Sequence, residues 1–336
     1  MSHQIALNFE DGVTRFVDCL PNETVADAAY RQGLFIPLDC RDGACGTCKS
    51  FCESGNFEIK DYLEDALSSQ EAEQGFILTC KAKPKADGVI RIPMTSNACR
   101  IADGGLRKAR ISRLEMLTES TIWLELEGPE ISKLKFLPGQ YAHLQIPGAR
   151  ETRAYSFSSV VKADRVGFLI RNVPGGKMSV ALSEMAREGD DLLWRAPYGS
   201  FYLREIQRPL LMIAGGTGLA PFLAMLEHIA ATSVEMPIHL LYGVTHDQDL
   251  VCLDVLNEMK LRLPMFEYTV TVAKTTAGGQ HQGVVTDFLM PEHLHEGQVD
   301  VYLCGPPPMV AAVEKHIREL GLTPTSMHFE KFLPAQ

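Results

Sequence analysis

Apolar and polar positions along the chain fall into three successive rhythms. In the first, Ile5–Glu10 and Thr14–Val17 alternate as two strands around the turn Asp11-Gly12. Val25–Gln32 then reads as a short helix with Thr24 as its candidate N-cap. Gln70–Gln74 is a second helical piece, expected before a strand carrying Cys80. The polar, turn-rich segment Ser96–Lys108, with Gly104-Gly105 inside it, reads as a linker.

The second rhythm runs from Ala109 to about Ile206. Short strands are predicted at Ile111–Leu117, Thr121–Glu127, Tyr141–Ile146, Arg153–Ser158, Val166–Arg171 and Leu192–Arg195, with one helix near Met178–Met185. Strands at this spacing predict an antiparallel barrel. After Arg208 strands alternate with helices: strands at Leu210–Ala214, Ile238–Val244, Phe266–Val272, Val299–Leu303 and Met327–Glu330, helices at Leu219–Ala231, Leu250–Lys260, Val284–Leu289 and Met309–Leu320. That alternation predicts a doubly wound parallel sheet. The expected organisation is multidomain, α+β followed by α/β: residues 1–98, a linker at 99–108, a barrel at 109–207 and a parallel-sheet domain at 208–336.

Composition narrows the function classes. Of the 336 residues, 46% are apolar and 22% charged, as in ordinary folded domains. The net charge of −10 makes nucleic acid and anionic membrane poor partners. Met1–Phe9 has no basic start leading into an apolar run, so no signal peptide is expected. The longest uncharged stretch, Pro209–Leu226, spans 18 residues, but Gly215-Gly216-Thr217-Gly218 and Pro221 break it into strand, turn and helix start, not a membrane span. Residues 1–98 carry 9 basic and 15 acidic side chains, residues 99–207 carry 16 and 13, and residues 208–336 carry 7 and 14. Only the barrel segment is basic, which suits a diphosphate ligand as well as it suits a solvated surface.

Seven of the nine cysteines lie in the first 99 residues. An odd count without a secretion signal points to a reducing, cytoplasmic setting. Cys40, Cys45 and Cys48 have the spacing C-x4-C-x2-C, and Cys80 follows 32 residues later. This is the plant-type [2Fe–2S] ligand pattern. A compact anionic cluster takes three thiolates from one short loop only if the backbone curls around it. Gly43 and Gly46 permit that curl. Zinc sites favour two C-x2-C pairs, and one is present here. Cys52, Cys19 and Cys99 read as buried small side chains.

In the barrel segment, Arg153-Ala154-Tyr155-Ser156 combines a guanidinium for phosphate, a ring for a flat isoalloxazine and a hydroxyl for a flavin nitrogen. Pro138-Gly139-Gln140-Tyr141 opens the preceding strand. Arg171–Ser179, with Gly175-Gly176-Lys177-Met178-Ser179, leads a glycine-rich turn into a helix whose N-terminus suits a diphosphate. With these motifs the segment resembles the ferredoxin–NADP reductase superfamily. The resemblance implies Arg153 on the phosphate, Tyr155 beside the isoalloxazine, Ser156 near flavin N5, and Gly176, Lys177, Met178 and Ser179 at the diphosphate.

Gly215-Gly216-Thr217-Gly218-Leu219-Ala220-Pro221 follows a strand and opens a helix, as G-x-G-x-x-P rather than the usual dinucleotide fingerprint. The superfamily uses this variant, with proline in the first helical turn. Cys304-Gly305-Pro306-Pro307-Pro308-Met309 is similar to its C-G-P-x-x-M motif, which implies Cys304 close to the nicotinamide. Glu330-Lys331-Phe332 is similar to its E-x-F ending, which implies Phe332 over the flavin and Glu330 near the reacting centre. Asp247 and Asp249 follow the second strand of the last domain, and no Lys or Arg lies between Arg208 and Lys260. Carboxylates suit ribose hydroxyls and repel a 2′-phosphate, so NADH is favoured over NADPH.

The N-terminal module is similar to a ferredoxin-like β-grasp domain. In module order the whole chain resembles the reductase components of benzoate-type ring-hydroxylating dioxygenases, a family that includes the anthranilate and 2-halobenzoate systems. Phe9–Phe16, Asp65-Ala66-Leu67 and Gly199–Arg204 carry the closer likeness. The resemblance implies an NADH-dependent electron-transfer flavoprotein with FAD and [2Fe–2S]. It also implies a Rieske non-haem iron oxygenase as partner, and a monomer is expected. Two alternatives are the reductase of a di-iron monooxygenase and a zinc-containing NAD-dependent dehydrogenase.

Overall fold

The computed structural model describes every residue except 1, 39, 40, 42, 44, 45, 65, 97, 98, 100–104, 233, 276–280 and 333–336. The chain divides into two compact units, Met1–Gly105 and Leu106–Gln336.

The first unit holds β1 (His3–Phe9), β2 (Thr14–Cys19), α1 (Val25–Arg31), β3 (Lys49–Ser54), β4 (Phe57–Glu58), α2 (Ser69–Glu73), β5 (Phe76–Leu78), β6 (Lys83–Pro84) and β7 (Gly88–Ile92). Five of these strands form one sheet in the order β2-β1-β7-β3-β5, with β1 and β7 parallel and the other pairs antiparallel. Alternation places Ile5, Leu7, Phe9, Ile90 and Ile92 in the core, where α1 lays Val25, Ala26, Ala28 and Ala29 against them. The Thr24 side chain accepts from the Asp27 N–H and caps α1 as its sequence predicts. Cys80 differs from expectation: β5 ends at Leu78, and Cys80 stands in the turn that follows.

The second unit begins with β8 (Arg107–Thr118), β9 (Thr121–Glu127), α3 (Pro129–Ser132), β10 (Tyr141–Gln145), β11 (Thr152–Ser156), β12 (Arg165–Arg171), α4 (Lys177–Val180) and β13 (Asp191–Tyr198). The six strands form an antiparallel sheet in the order β11-β10-β13-β8-β9-β12. Its two ends meet: Phe157, just past β11, bridges Phe168 of β12, and Ser158 N–H donates to Gly167 O at 2.8 Å. That contact closes the barrel around Trp194, Phe157 and Phe168, which are fully buried. The predicted helix over Met178–Met185 is two pieces, α4 and a π-helical turn at Ala181–Met185.

Next come β14 (Leu210–Gly215), α5 (Ala220–Ile229), β15 (Ile238–His246), α6 (Leu253–Arg262), β16 (Phe266–Lys274), β17 (Asp300–Gly305), α7 (Pro307–Glu319) and β18 (Ser326–Lys331). These five strands are parallel, in the order β16-β15-β14-β17-β18. Every residue of β14 and β17 is buried, as a central strand covered on both faces requires. Leu211, Ile213 and Leu303 face α7, whereas Met212, Ala214 and Cys304 share the cluster of α5. The chain reverses its winding at β14, so the crevice of a doubly wound sheet opens at the C-terminal ends of β14, β15 and β17. The helix expected at Val284–Leu289 is only a 3-10 turn, Val285–Asp287, because its apolar residues are anchored singly under β15 instead of lining one helical stripe. No helix among the described residues is long and apolar enough to cross a membrane.

Candidate functional site

In the first unit, Gly43 and Gly46 adopt φ +71° and +72°, and Arg41 between α1 and them adopts +61°. A Cβ on Gly43 would stand 2.8 Å from Tyr62 Cβ. Positive φ and close approach both select glycine, as the curled loop requires. Cys40 and Cys45 lie outside the described residues. The other two candidate ligands converge: Cys48 Sγ and Cys80 Sγ, both buried, are 3.2 Å apart. Two thiols brought together from positions 32 residues apart, at the foot of a positive-φ glycine loop, fit a two-iron cluster's thiolate set. Among the described residues alone, no group of three metal-ligating side chains forms. Cys52 stands on β3, half-buried, with Sγ 3.5 Å from Ser54 O, and burial raises its thiol pKa. Cys19 and Cys99 are fully buried, and burial pushes both thiols up to about 12.

In the second unit, three residues from three strands meet. Ser156, at the end of β11, donates from Oγ to Glu330 Oε2 at 2.9 Å. Cys304 on β17 is the register partner of Glu330 on β18, and its Sγ lies 3.8 Å from the same oxygen. All three are buried. Burial, and then the neighbouring Glu330 carboxylate, hold the Cys304 thiol well above its usual pKa, so it stays protonated. Tyr155, next to Ser156 in sequence, is half-buried, and burial raises its phenol as well. Arg153 Nη1 donates to Thr152 O at 3.0 Å.

Of the turn before α4, Ser179 is buried with its Oγ accepting from Val173 N–H at 2.8 Å, which fixes the turn's shape. Met178 packs into the barrel core. Lys177 Nζ reaches Glu151 at 2.6 Å. Gly176 N–H donates to Val173 O at 2.9 Å, so what this turn offers to a ligand is the backbone N–H groups of Lys177–Ser179 rather than side chains.

At the crevice, a cavity of about 410 Å³ is lined by Arg171 and Val173 of the barrel, Gly215–Thr217, Gly243–Thr245, Asp249, Thr271, Pro306 and Phe332. A Cβ on Gly218 would lie 2.2 Å from Cys304 O, and one on Gly215 would lie 2.5 Å from Met309 Sδ. The G-x-G turn is thus packed directly on the C-G-P turn, a contact no side chain fits. Phe332 N–H donates to Gly305 O at 2.9 Å, which ties the C-terminal aromatic to the cavity wall. Asp249 is buried. Its Oδ1 accepts from Ser120 Oγ of the barrel at 2.6 Å and its Oδ2 from His246 N–H at 3.1 Å. Asp247 is exposed and accepts from Thr275 Oγ1 at 2.9 Å. Sequence reasoning missed Arg171, whose Nη1 lies 3.8 Å from where a Cβ on Gly216 would stand. The signal was present: the last domain has no Lys or Arg between positions 208 and 260, so a cation at its glycine turn has to come from the barrel.

Three family models match consecutive parts of the chain: a 2Fe-2S iron-sulfur cluster binding domain over residues 8–85, an oxidoreductase FAD-binding domain over 108–202 and an oxidoreductase NAD-binding domain over 212–315. The chain is 54% identical over 333 residues to the toluate 1,2-dioxygenase electron transfer component of Pseudomonas putida, covering 99% of each chain. It is 47% identical to the 2-halobenzoate 1,2-dioxygenase electron transfer component of Burkholderia cepacia, again over 99% of each. Its fold is similar to that of the Amycolatopsis cytochrome P450 reductase GcoB, with a TM-score of 0.76, 30% identity, and coverage of 99% of this chain and 100% of that one.

Proposed function

We propose, from the premise that this chain belongs to the iron–sulfur flavoprotein electron-transfer components of the aromatic 1,2-dioxygenases, that it delivers electrons from NADH to the Rieske oxygenase of a benzoate-type system. When bound, FAD takes the hydride pair from NADH and the [2Fe–2S] centre relays the electrons singly to the acceptor. The proposed modules are residues 1–98, 109–207 and 208–336, joined at 99–108, in a cytoplasmic monomer.

Each residue has a physical task. Cys40, Cys45, Cys48 and Cys80 supply the four thiolates. Arg153 presents a guanidinium to the flavin phosphate, and the N–H groups at Lys177–Ser179 face the diphosphate. Tyr155 gives the isoalloxazine a flat apolar wall. Gly215, Gly216, Thr217 and Gly218, with Gly305 and Pro306, let the dinucleotide backbone approach closely, and Arg171 neutralises its charge. Phe332 covers the flavin face until nicotinamide arrives. Asp247 and Asp249 disfavour a 2′-phosphate.

The observation that carries this reading is the meeting of Ser156, Glu330 and Cys304. Glu330 Oε2 accepts from the barrel's hydroxyl and faces the neutral thiol of the parallel sheet. It thereby fixes the orientation of both at the junction where nicotinamide must meet flavin. The neutral thiol adds no charge against an incoming hydride.

The test is reconstitution of the purified holoprotein with a benzoate-type oxygenase, its aromatic acid and either nucleotide. Turnover is expected without a third iron–sulfur protein. Catalytic efficiency with NADH should exceed that with NADPH by one to two orders of magnitude, on the order of 1.4–2.8 kcal/mol. A requirement for an added ferredoxin, or equal use of both nucleotides, would overturn the corresponding part.

A further inference from the structure

Strand β11 ends at Ser156, whose hydroxyl reaches Glu330, and the chain runs on for four residues to Val160 before turning back into β12. The barrel holds this segment from below: Ser158 Oγ accepts from Leu169 N–H and Ser159 Oγ from Gly167 N–H, both at 2.8 Å. Val160 N–H finds its acceptor outside the barrel. It donates to Glu227 Oε2 on α5 at 2.7 Å. The other oxygen, Glu227 Oε1, pairs with Lys162 Nζ of the same barrel segment. The Glu227 side chain is 15% exposed and that of Lys162 63%, so the carboxylate is largely shielded while its cation stands in solvent.

Nothing in α5 itself calls for this residue. Eight of the ten residues of the helix are buried, and Glu227 lies in its last turn. The dipole there favours a cation over a carboxylate. The acidic side chain is instead matched to the barrel, which supplies both of its partners.

The two elements so joined each lead to one side of the reaction. Upstream of Val160 is Ser156, at the junction with Cys304 and Glu330. Upstream of Glu227, α5 begins at Ala220, directly after the glycine turn that lines the cavity. Ala220 to Glu227 is roughly 10 Å of stiff helix at about 1.5 Å per residue. The remaining contacts between α5 and the barrel are apolar. Leu169 shares the cluster of α5, and a Cβ on Gly139 would stand 2.5 Å from Met225 Cε. Apolar packing is non-directional and does not by itself fix position along the helix. A carboxylate held by a main-chain N–H does.

We propose that Glu227 is a positioning residue for hydride transfer: by accepting from Val160 N–H it fixes the flavin strand β11 against the helix that carries the dinucleotide turn. The inference rests on the NADH reading above and concerns the alignment of the two sides, not the affinity of either. The test uses the holoprotein with Glu227→Ala, Glu227→Gln and Lys162→Ala. Anaerobic stopped-flow absorbance reads flavin reduction by NADH, calorimetry reads ADP-ribose binding, and hydrogen–deuterium exchange reads the amides of residues 157–163. Glu227→Ala should lower the limiting rate of flavin reduction about tenfold, within the roughly hundredfold that an ångström of misplacement costs. Exchange in 157–163 should quicken in the same variant, while flavin content and ADP-ribose affinity hold. Glutamine keeps an acceptor for Val160 N–H and should bring the rate back to within about twofold. Lys162→Ala should match the unaltered protein, because an exposed ion pair contributes little. An unchanged rate or unchanged exchange in Glu227→Ala would overturn the assignment. So would a rate loss matched by an equal loss of flavin or of ADP-ribose affinity, which would mark a folding or binding role instead. If NADH does not reduce the flavin of the unaltered holoprotein, the NADH reading falls, and the exchange measurement decides the tether by itself.

Discussion

Cys48 and Cys52 are four positions apart, yet their surroundings differ in kind. Cys48 turns inward to Cys80, while Cys52 rests on a strand against a backbone carbonyl. Cys52→Ser should therefore leave iron content unchanged, whereas Cys45→Ser should abolish the cluster's visible absorption and leave flavin content intact. Metal analysis and the visible spectrum of both variants check this, and loss of iron from the Cys52 variant would reassign the ligand. Ser156, Cys304 and Glu330 could be singled out in the sequence because each sits in a short motif resembling the family's, and the structure brings the three together, as it does Cys48 and Cys80. Arg171 was not legible. Its interest lies in a neighbouring glycine turn from another part of the chain, a property that appears only once distant strands are in register. Asp249 shows the converse: its residue type suggested a ribose ligand, but its position also ties the loop to Ser120.

At the scale of elements, alternation and turn residues gave β1, β2, β9 and the five parallel strands closely, since each buries a clear face. They did not give β3 or β7, whose pairing with β1 and with each other is non-local. The helix at Leu250 begins later, at Leu253, because Cys252 takes φ +58° and breaks the turn. One element pair carries a pH dependence. His239, at the N-terminal end of β15, bonds Thr269 Oγ1 through Nε2 at 3.1 Å, and its ring lies 4.4 Å from that of His293. His293 Nδ1 accepts from Met290 N–H, which caps the 3-10 segment Pro291–Gly297, and the ring contact sets that segment against the strand. Burial lowers the pKa of His239 to about 4; His293 pushes the same way, and Glu267 on β16 opposes it. Burial lowers His293 too, with Glu292 opposing and His295 reinforcing. Unfolded histidine titrates near 6.5, so between about 6.5 and 4 the unfolded chain binds more protons. Stability from this pair is full above that window and falls as pH drops through it. Thermal melts from pH 7.5 to 5 should show a smaller drop in Tm for His239→Gln than for the unaltered protein. Equal drops would show that the pair plays no part. The site lies at the opposite end of the strands, so NADH binding at pH 7 should not change.

Over the whole molecule, charge is distributed by module. Residues 1–98 and 208–336 are both acid-rich, and the basic excess of 99–207 separates them in sequence. The iron–sulfur unit is where electrons leave, so its own field governs encounter with the oxygenase. Part of that field is already neutralised: Glu53, one of the acidic groups near the ligand loop in sequence, pairs with Arg91 at 3.0 Å, and Glu58 is held by both Lys60 and Lys85. With those pairs counted in, residues 1–98 carry 9 basic against 15 acidic side chains, so the module stays net acidic and attracts a basic patch on the acceptor. Raising ionic strength from about 0.01 M to 0.1 M shortens the screening length from roughly 30 Å to 10 Å. The second-order rate of oxygenase reduction should therefore fall several-fold over that range. Transfer from flavin to cluster within one chain needs no encounter and should hold steady, as stopped-flow absorbance of the two centres can separate. A second-order rate that is flat in salt would place recognition in apolar contacts of the docking face and leave the electron path itself unchanged. A fall in both rates would mean that salt acts on the reductase's internal geometry instead of on its meeting with the oxygenase.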